Sequence, residues 1–127
     1  LRDGAVTGNP ANSLTQMLAE TLPYHAAIAA DRHLKLMMYE GGSHVLGYGS
    51  AVEDEELTAF FTHFNFTPEM GALYAELLAG WQLISDQPFN AFVDVYRPSK
   101  WGSWGALRHL GDDNPRWDAL AKGCITC

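Results

Sequence analysis

Leu34-Lys35-Leu36-Met37-Met38-Tyr39-Glu40-Gly41-Gly42 is the stretch on which the reading of this chain turns. A mostly apolar run ends in a carboxylate and two glycines, the pattern of a buried strand over 34–39 that delivers Glu40 to the rim of a sheet. Paired glycines allow a sharp turn with positive φ and leave space beside the carboxylate for a ligand. The segment that follows, Gly41 to Ser50, holds four glycines in ten residues and interleaves polar and aromatic groups. That composition fits a functional loop that keeps Ser43, His44 and Tyr48 close to Glu40.

A second unit of the same kind lies downstream. Phe89 to Tyr96 alternates and branches as a strand does, with Val93 and Val95 on one side and Phe92, Asp94 and Tyr96 on the other. Arg97-Pro98-Ser99-Lys100-Trp101-Gly102-Ser103-Trp104-Gly105-Ala106-Leu107 then forms another polar and aromatic loop. Helices are expected around these strands. Asn12 or Ser13 caps a helix with Leu14, Met17, Leu18 and Leu22 on its apolar face, and Pro23 starts a second helix to about Arg32. Asp54 caps a helix whose stripe of Leu57, Phe60, Phe61 and Phe64 reads as core. Thr67 and Pro68 open a helix through Met70, Leu73, Tyr74, Leu77, Leu78 and Trp81, which Ser85 to Pro88 breaks. Asn114 and Pro115 begin a last helix through Trp117 and Leu120 that ends at Gly123. Helices alternating with strands across long crossovers are the mark of parallel βα units in an α/β fold.

Composition narrows the function classes. The chain has 127 residues, 47% of them hydrophobic and 12% aromatic, enough for one domain with a core. With 15 acidic against 8 basic residues the formal charge is -7, and no basic cluster exists to grip nucleic acid. No apolar run approaches the roughly 20 residues that cross a bilayer, so no membrane partner is expected. The chain opens at Leu1 on what reads as the middle of a loop, so it is expected to be a piece of something longer. The only cysteines, Cys124 and Cys127, share a Cys-x-x-Cys spacing but lack the helix N-terminus or second ligand pair of a redox or zinc site. His25, His33, His63 and His109 are scattered over different elements, so neither a metal nor a cofactor is expected.

Several segments together resemble a known family. Tyr39-Glu40-Gly41-Gly42-Ser43-His44, then Pro68-Glu69-Met70-Gly71 with Leu73, Tyr74 and Trp81, then Ser99 to Leu107 and Pro115-Arg116-Trp117-Asp118-Ala119-Leu120, are similar to the C-terminal part of bacterial (β/α)8-barrel glycoside hydrolase-like proteins, cellulases and endoglucanases among them. The resemblance spans residues 10 to 121. It implies that 34–39 and 89–96 are the seventh and eighth strands of a barrel left incomplete by this chain alone. It also implies that Glu40 is the nucleophile of a retaining glycosidase, that Trp101 or Trp104 lines the sugar subsite, and that the chain is secreted or periplasmic. Apart from the resemblance, Tyr39, Ser43, His44 and Asp94 are candidate saccharide contacts by their places on these strands and loops, and His44 could equally orient Glu40. The family's acid/base, an Asn-Glu pair on the fourth strand, has no counterpart here, although retaining hydrolysis needs two carboxyl groups about 5 to 5.5 Å apart.

Each of these residues has a plainer alternative. Glu40 could cap a helix or pair with Lys100 or Arg97, and His44 could simply be solvated. Trp101 and Trp104 could be loop anchors, and Asp94 a buried partner of Arg97. The acidic run Glu53 to Glu56 reads as a helix start only. Two functional readings remain, a glycan-hydrolysing enzyme completed by further barrel strands, and a carbohydrate-binding or oligomer-forming module. The unpaired strand edges of an open barrel predict either a homo-oligomer or a partner carrying the missing strands.

Overall fold

A computed structural model describes residues 1–123, so Cys124 and Cys127 lie outside the described residues. The first helical run begins at Ser13, whose hydroxyl accepts from the Gln16 amide at 3.2 Å. It passes through α1 (Leu14–Gln16), a wide π turn (Met17–Thr21) and α2 (Leu22–Asp31) without leaving helical geometry. Pro23 was expected to start a separate helix. Instead the wide turn in front of it absorbs the missing amide donor and the crowding of the ring, and the run continues.

After this run come β1 (Met38–Gly41), a 3-10 turn (Gly49–Glu53), α3 (Glu55–Phe64), α4 (Pro68–Ile84), β2 (Phe89–Ala91) and α5 (Pro115–Gly123). Caps fall where local chemistry places them: the Asp54 carboxylate accepts from the Leu57 amide at 2.9 Å and the Thr67 hydroxyl from the Met70 amide at 3.4 Å. Pro68 occupies the first helical turn, where its missing N–H costs nothing.

α4 is the axis of the molecule. Its buried face of Met70, Tyr74, Leu77, Leu78 and Trp81 meets Leu22, Ala106 and Leu107 to form the core. Burying each large side chain contributes about 1.5–3 kcal/mol. Two glycines let neighbours approach α4 closely, Gly71 under Pro115 at the start of α5 and Gly80 under Leu18 of the π turn. Trp81 is tied down at both ends, its indole N–H donating to the Gln87 carbonyl at 2.8 Å and its ring edge-on to Phe89 at 6.0 Å. The Ser85 hydroxyl donates to the Leu36 carbonyl at 2.5 Å, which fixes the approach to β1.

The (β/α)8 barrel expectation is overturned. β1 and β2 pair in parallel as a two-stranded sheet, but the strands are Met38–Gly41 and Phe89–Ala91 and not 34–39 and 89–96. Beyond β2 the chain uses its own downstream loop as a neighbour. The Val93 amide donates to the Trp104 carbonyl at 3.0 Å, Ala106 to Val93 at 2.7 Å, Leu107 to Asp94 at 2.9 Å and Tyr96 to Leu107 at 3.0 Å. An eighth barrel strand needs another strand on each side. Here β2 pairs with β1 in a two-stranded sheet, and residues 93–96, expected to complete the eighth strand, bond instead to residues 104–107 of their own downstream loop. The Phe60 stripe is corrected as well: Phe60 is 59% exposed and none of α3's side chains is fully buried, because α5 and not α3 is the main partner of α4.

Candidate functional site

The residues singled out from the sequence gather around the exits of β1 and β2. Tyr39 and Glu40 lie within β1 and face outward, because the strand begins four residues later than the apolar run suggests and continues through Glu40. Tyr39 is 80% exposed. Among the described residues the Glu40 carboxylate has no hydrogen bond or ion pair, so neither Lys100 nor Arg97 holds it. Gly42, at φ 141°, turns the chain beneath the Tyr74 hydroxyl, which would lie 2.9 Å from any added Cβ. The next residue, Ser43, donates its amide to that same hydroxyl at 2.8 Å, while its own hydroxyl is buried with no partner among the described residues.

His44 does not turn toward Glu40 through any hydrogen bond. Its ring lies 4.6 Å from the Trp104 indole, tilted by 53°. Trp104 is half-buried, with Phe92 edge-on at 5.9 Å and Gly102 beneath it at φ 126°, where a Cβ would sit 2.8 Å from the indole. Trp104 is thus the anchor of the second loop, and Gly102 is glycine both for its backbone angle and for this close approach.

Trp101 behaves differently, being 60% exposed at the apex of a small hairpin. Ser99 and Gly102 close the hairpin with amide-to-carbonyl bonds of 3.1 and 3.0 Å, and the Trp101 amide donates to the Ser99 hydroxyl at 3.2 Å. The Lys100 ammonium sits 5.0 Å from the centre of the indole and pairs with Glu53 at 2.6 Å. Glu53 is therefore more than a helix start. An ion pair this exposed contributes about 0–1 kcal/mol, so its main effect is to orient Lys100 beside the ring. Asp94 is exposed and joins no ion pair among the described residues, so it is not the buried partner of Arg97.

At the base of these loops lies a buried polar group that no motif in the sequence marks. Arg116, in the first turn of α5, is 1% exposed. Its guanidinium donates to Asn65 Oδ1 at 3.1 Å, to the Ser103 carbonyl at 2.9 Å and to the Gly105 carbonyl, and lies 4.6 Å from the Phe66 ring and 5.7 Å from Tyr74. Burial pulls its pKa below the ordinary arginine value. Beside it, Asn114 accepts the Arg116 and Trp117 amides at 3.1 and 3.0 Å and donates to the Ala106 carbonyl at 3.0 Å. Asp112 receives two side-chain bonds from Arg108, 2.9 and 2.6 Å, which hold its carboxyl well below the usual range. One signal for this cluster was present in the sequence. A cation in the first turn of a helix opposes the helix dipole, so Arg116 needs acceptors from elsewhere in the fold.

The surface above this base is shallow. The gap where the loop after β1, α3 and the hairpin meet measures about 10 Å³ and is lined by Val45, Leu46, Gly47, Phe61, Lys100 and Ser103 among others. Among the described residues no three of His, Cys, Asp and Glu converge as metal ligands, and no helix is long and apolar enough to cross a membrane. In comparison with known proteins, the chain matches no family model, no curated protein and no solved structure.

Proposed function

We propose that this chain is a carbohydrate-binding protein that holds an oligo- or polysaccharide on an exposed aromatic face without cleaving it. The observation that carries the reading is Trp101, a large indole kept in solvent at the tip of a hairpin closed by three hydrogen bonds. Exposing an indole forfeits the hydrophobic gain of burying it, so a side chain fixed in that state is suited to a flat apolar partner. The C–H face of a pyranose is such a partner. His44 on Trp104 and the exposed carboxylates of Glu40 in β1 and Asp94 after β2 are the polar groups this reading assigns to sugar hydroxyls. Binding asks for one aromatic plane and a few polar groups, whereas retaining hydrolysis asks for two carboxyl groups at a set separation.

The test is a titration of β-linked oligosaccharides with wild type, Trp101→Ala and Glu40→Gln, together with an assay for released reducing ends. Wild type is expected to bind, and Trp101→Ala to bind about tenfold more weakly, equivalent to about 1.4 kcal/mol. Glu40→Gln is expected to retain most of the binding, with no reducing ends released by any form. Release that disappears in Glu40→Gln would overturn the binding reading in favour of hydrolysis, and no saccharide binding by wild type would overturn both.

A second reading concerns the outer edge of β1, which supports association with another copy of this chain. Leu34 (66%), Met37 (56%) and Tyr39 (80%) are exposed along the approach to that edge and on it, and β1 pairs only with β2 among the described residues.

A further inference from the structure

Trp104 has no regular secondary structure of its own, yet its indole is wedged between His44 and Phe92 over Gly102. The carbonyls on either side of it, Ser103 and Gly105, are both acceptors of the Arg116 guanidinium. A planar fork with donors in fixed directions can hold two carbonyls two residues apart in one relative orientation, which a single ammonium cannot do. The same guanidinium donates to Asn65 at the α3 to α4 joint, and Asn65 is itself locked by donating to the Phe61 carbonyl at 2.8 Å. On its other side lies Tyr74, whose hydroxyl accepts the Ser43 amide next to His44. The loop after β1, the loop after β2 and the joint before α4 thus meet at one buried group.

We propose that Arg116 is the positioning residue of the aromatic face, setting the His44 and Trp104 pair and, through the loop they anchor, the Trp101 hairpin. This assignment rests on the saccharide reading for its functional meaning. Its structural content is independent of that reading: without the fork, the carbonyls of Ser103 and Gly105 lose a common donor inside the protein, and the loop between Gly102 and Gly105 relaxes.

The experiment follows the His44 ring protons by NMR. At 4.6 Å from the indole these protons are displaced from the free histidine position by the Trp104 ring current. In Arg116→Lys the displacement is expected to collapse toward the free value and oligosaccharide affinity to fall about tenfold. Leu78→Ala, in the core between α4 and the end of α5, is the control for general loss of stability. Measured below its own midpoint, it is expected to keep the His44 displacement and the wild-type affinity. An unchanged His44 displacement in Arg116→Lys, or an equal collapse in Leu78→Ala, overturns the assignment. Should Arg116→Lys fail to fold, Asn65→Ala removes one of the acceptors. A partial loss of displacement then supports the assignment, and no loss overturns it. If wild type binds no saccharide, the function proposed above fails while the His44 signal still decides the role of Arg116.

Discussion

Two glycines on the same helix offer a matched pair of perturbations. Gly71 and Gly80 both lie in α4, and replacing either by alanine removes about 1 kcal/mol of unfavourable helix propensity. What differs is the neighbour. At position 71 the new Cβ would sit 2.7 Å from the Pro115 carbonyl oxygen, 2.8 Å from its Cβ and 2.9 Å from its carbonyl carbon. Ordinary contact begins near 3.4 Å, so Pro115 must retreat by several tenths of an ångström, and most of what it presents is backbone. Its neighbour Arg116 is held by three acceptors on two other segments, which resist that retreat. Overpacking of this kind costs about 2–3 kcal/mol, so Gly71→Ala is expected to destabilise by about 1–2 kcal/mol after the propensity gain. At position 80 the atoms nearest the new Cβ are the two methyls and Cγ of Leu18, 2.6 to 3.1 Å away, and that side chain can change rotamer. Gly80→Ala is therefore expected to lie within about 0.5 kcal/mol of wild type, or to be more stable by up to about 1 kcal/mol. Urea unfolding followed by far-ultraviolet circular dichroism reads both, with the midpoint moving and the slope constant. A Gly71→Ala variant as stable as wild type, or a Gly80→Ala variant that loses more than Gly71→Ala, would refute the claim that α5 is pinned against α4 by a rigid contact.

Two further predictions follow from the base of the site and from the sheet edge. Asp112, depressed in the folded state by Arg108, contributes stability that is fully present above its unfolded pKa of about 3.9 and is lost as pH falls toward its lower folded value. Asp112→Asn is expected to cost on the order of 2 kcal/mol at pH 7 and to flatten the loss of stability below about pH 4; urea midpoints at a series of pH values check this, and parallel acid limbs for the two proteins would contradict it. Association through the β1 edge predicts a concentration-dependent mass in size-exclusion chromatography with light scattering, shifted to monomer by Met37→Lys, whose charge blunts a sheet edge. A wild-type monomer throughout the micromolar range would eliminate that association.

The helices with strong local signals were legible without any structure. Ser13, Asp54 and Thr67 cap the elements that begin after them, and Pro68 and Pro115 stand in first turns, because capping and proline geometry are settled among residues a few positions apart. The buried stripe of α4 was likewise legible from its helical spacing. The strands were less so. An apolar run states that a segment prefers burial, but β1 pairs only where β2 lies alongside it, and β2 is three residues long. The phenylalanines of α3 repeat as a core stripe does, yet α5 takes the side of α4 that would have covered them.

The candidate site divides in the same way. The sequence by itself determined that two Gly-rich loops would carry the polar and aromatic residues, and that Glu40 would stand beside a glycine pair. Only the tertiary structure decided that Trp104 is an anchor and that Trp101 stands exposed, since the two tryptophans sit three residues apart in similar surroundings. Which of them is buried depends on His44, Phe92 and Gly102 arriving from different segments. It also decided that the sheet is two-stranded and not the end of a barrel, because residues 93–96 leave β2 and bond to residues 104–107 of the same chain. Arg116 marks the division most clearly. Its position at the start of a helix was readable and signalled a charge in need of partners, but those partners lie at residues 65, 103 and 105, brought to it only when α4, α5 and the loop after β2 pack together.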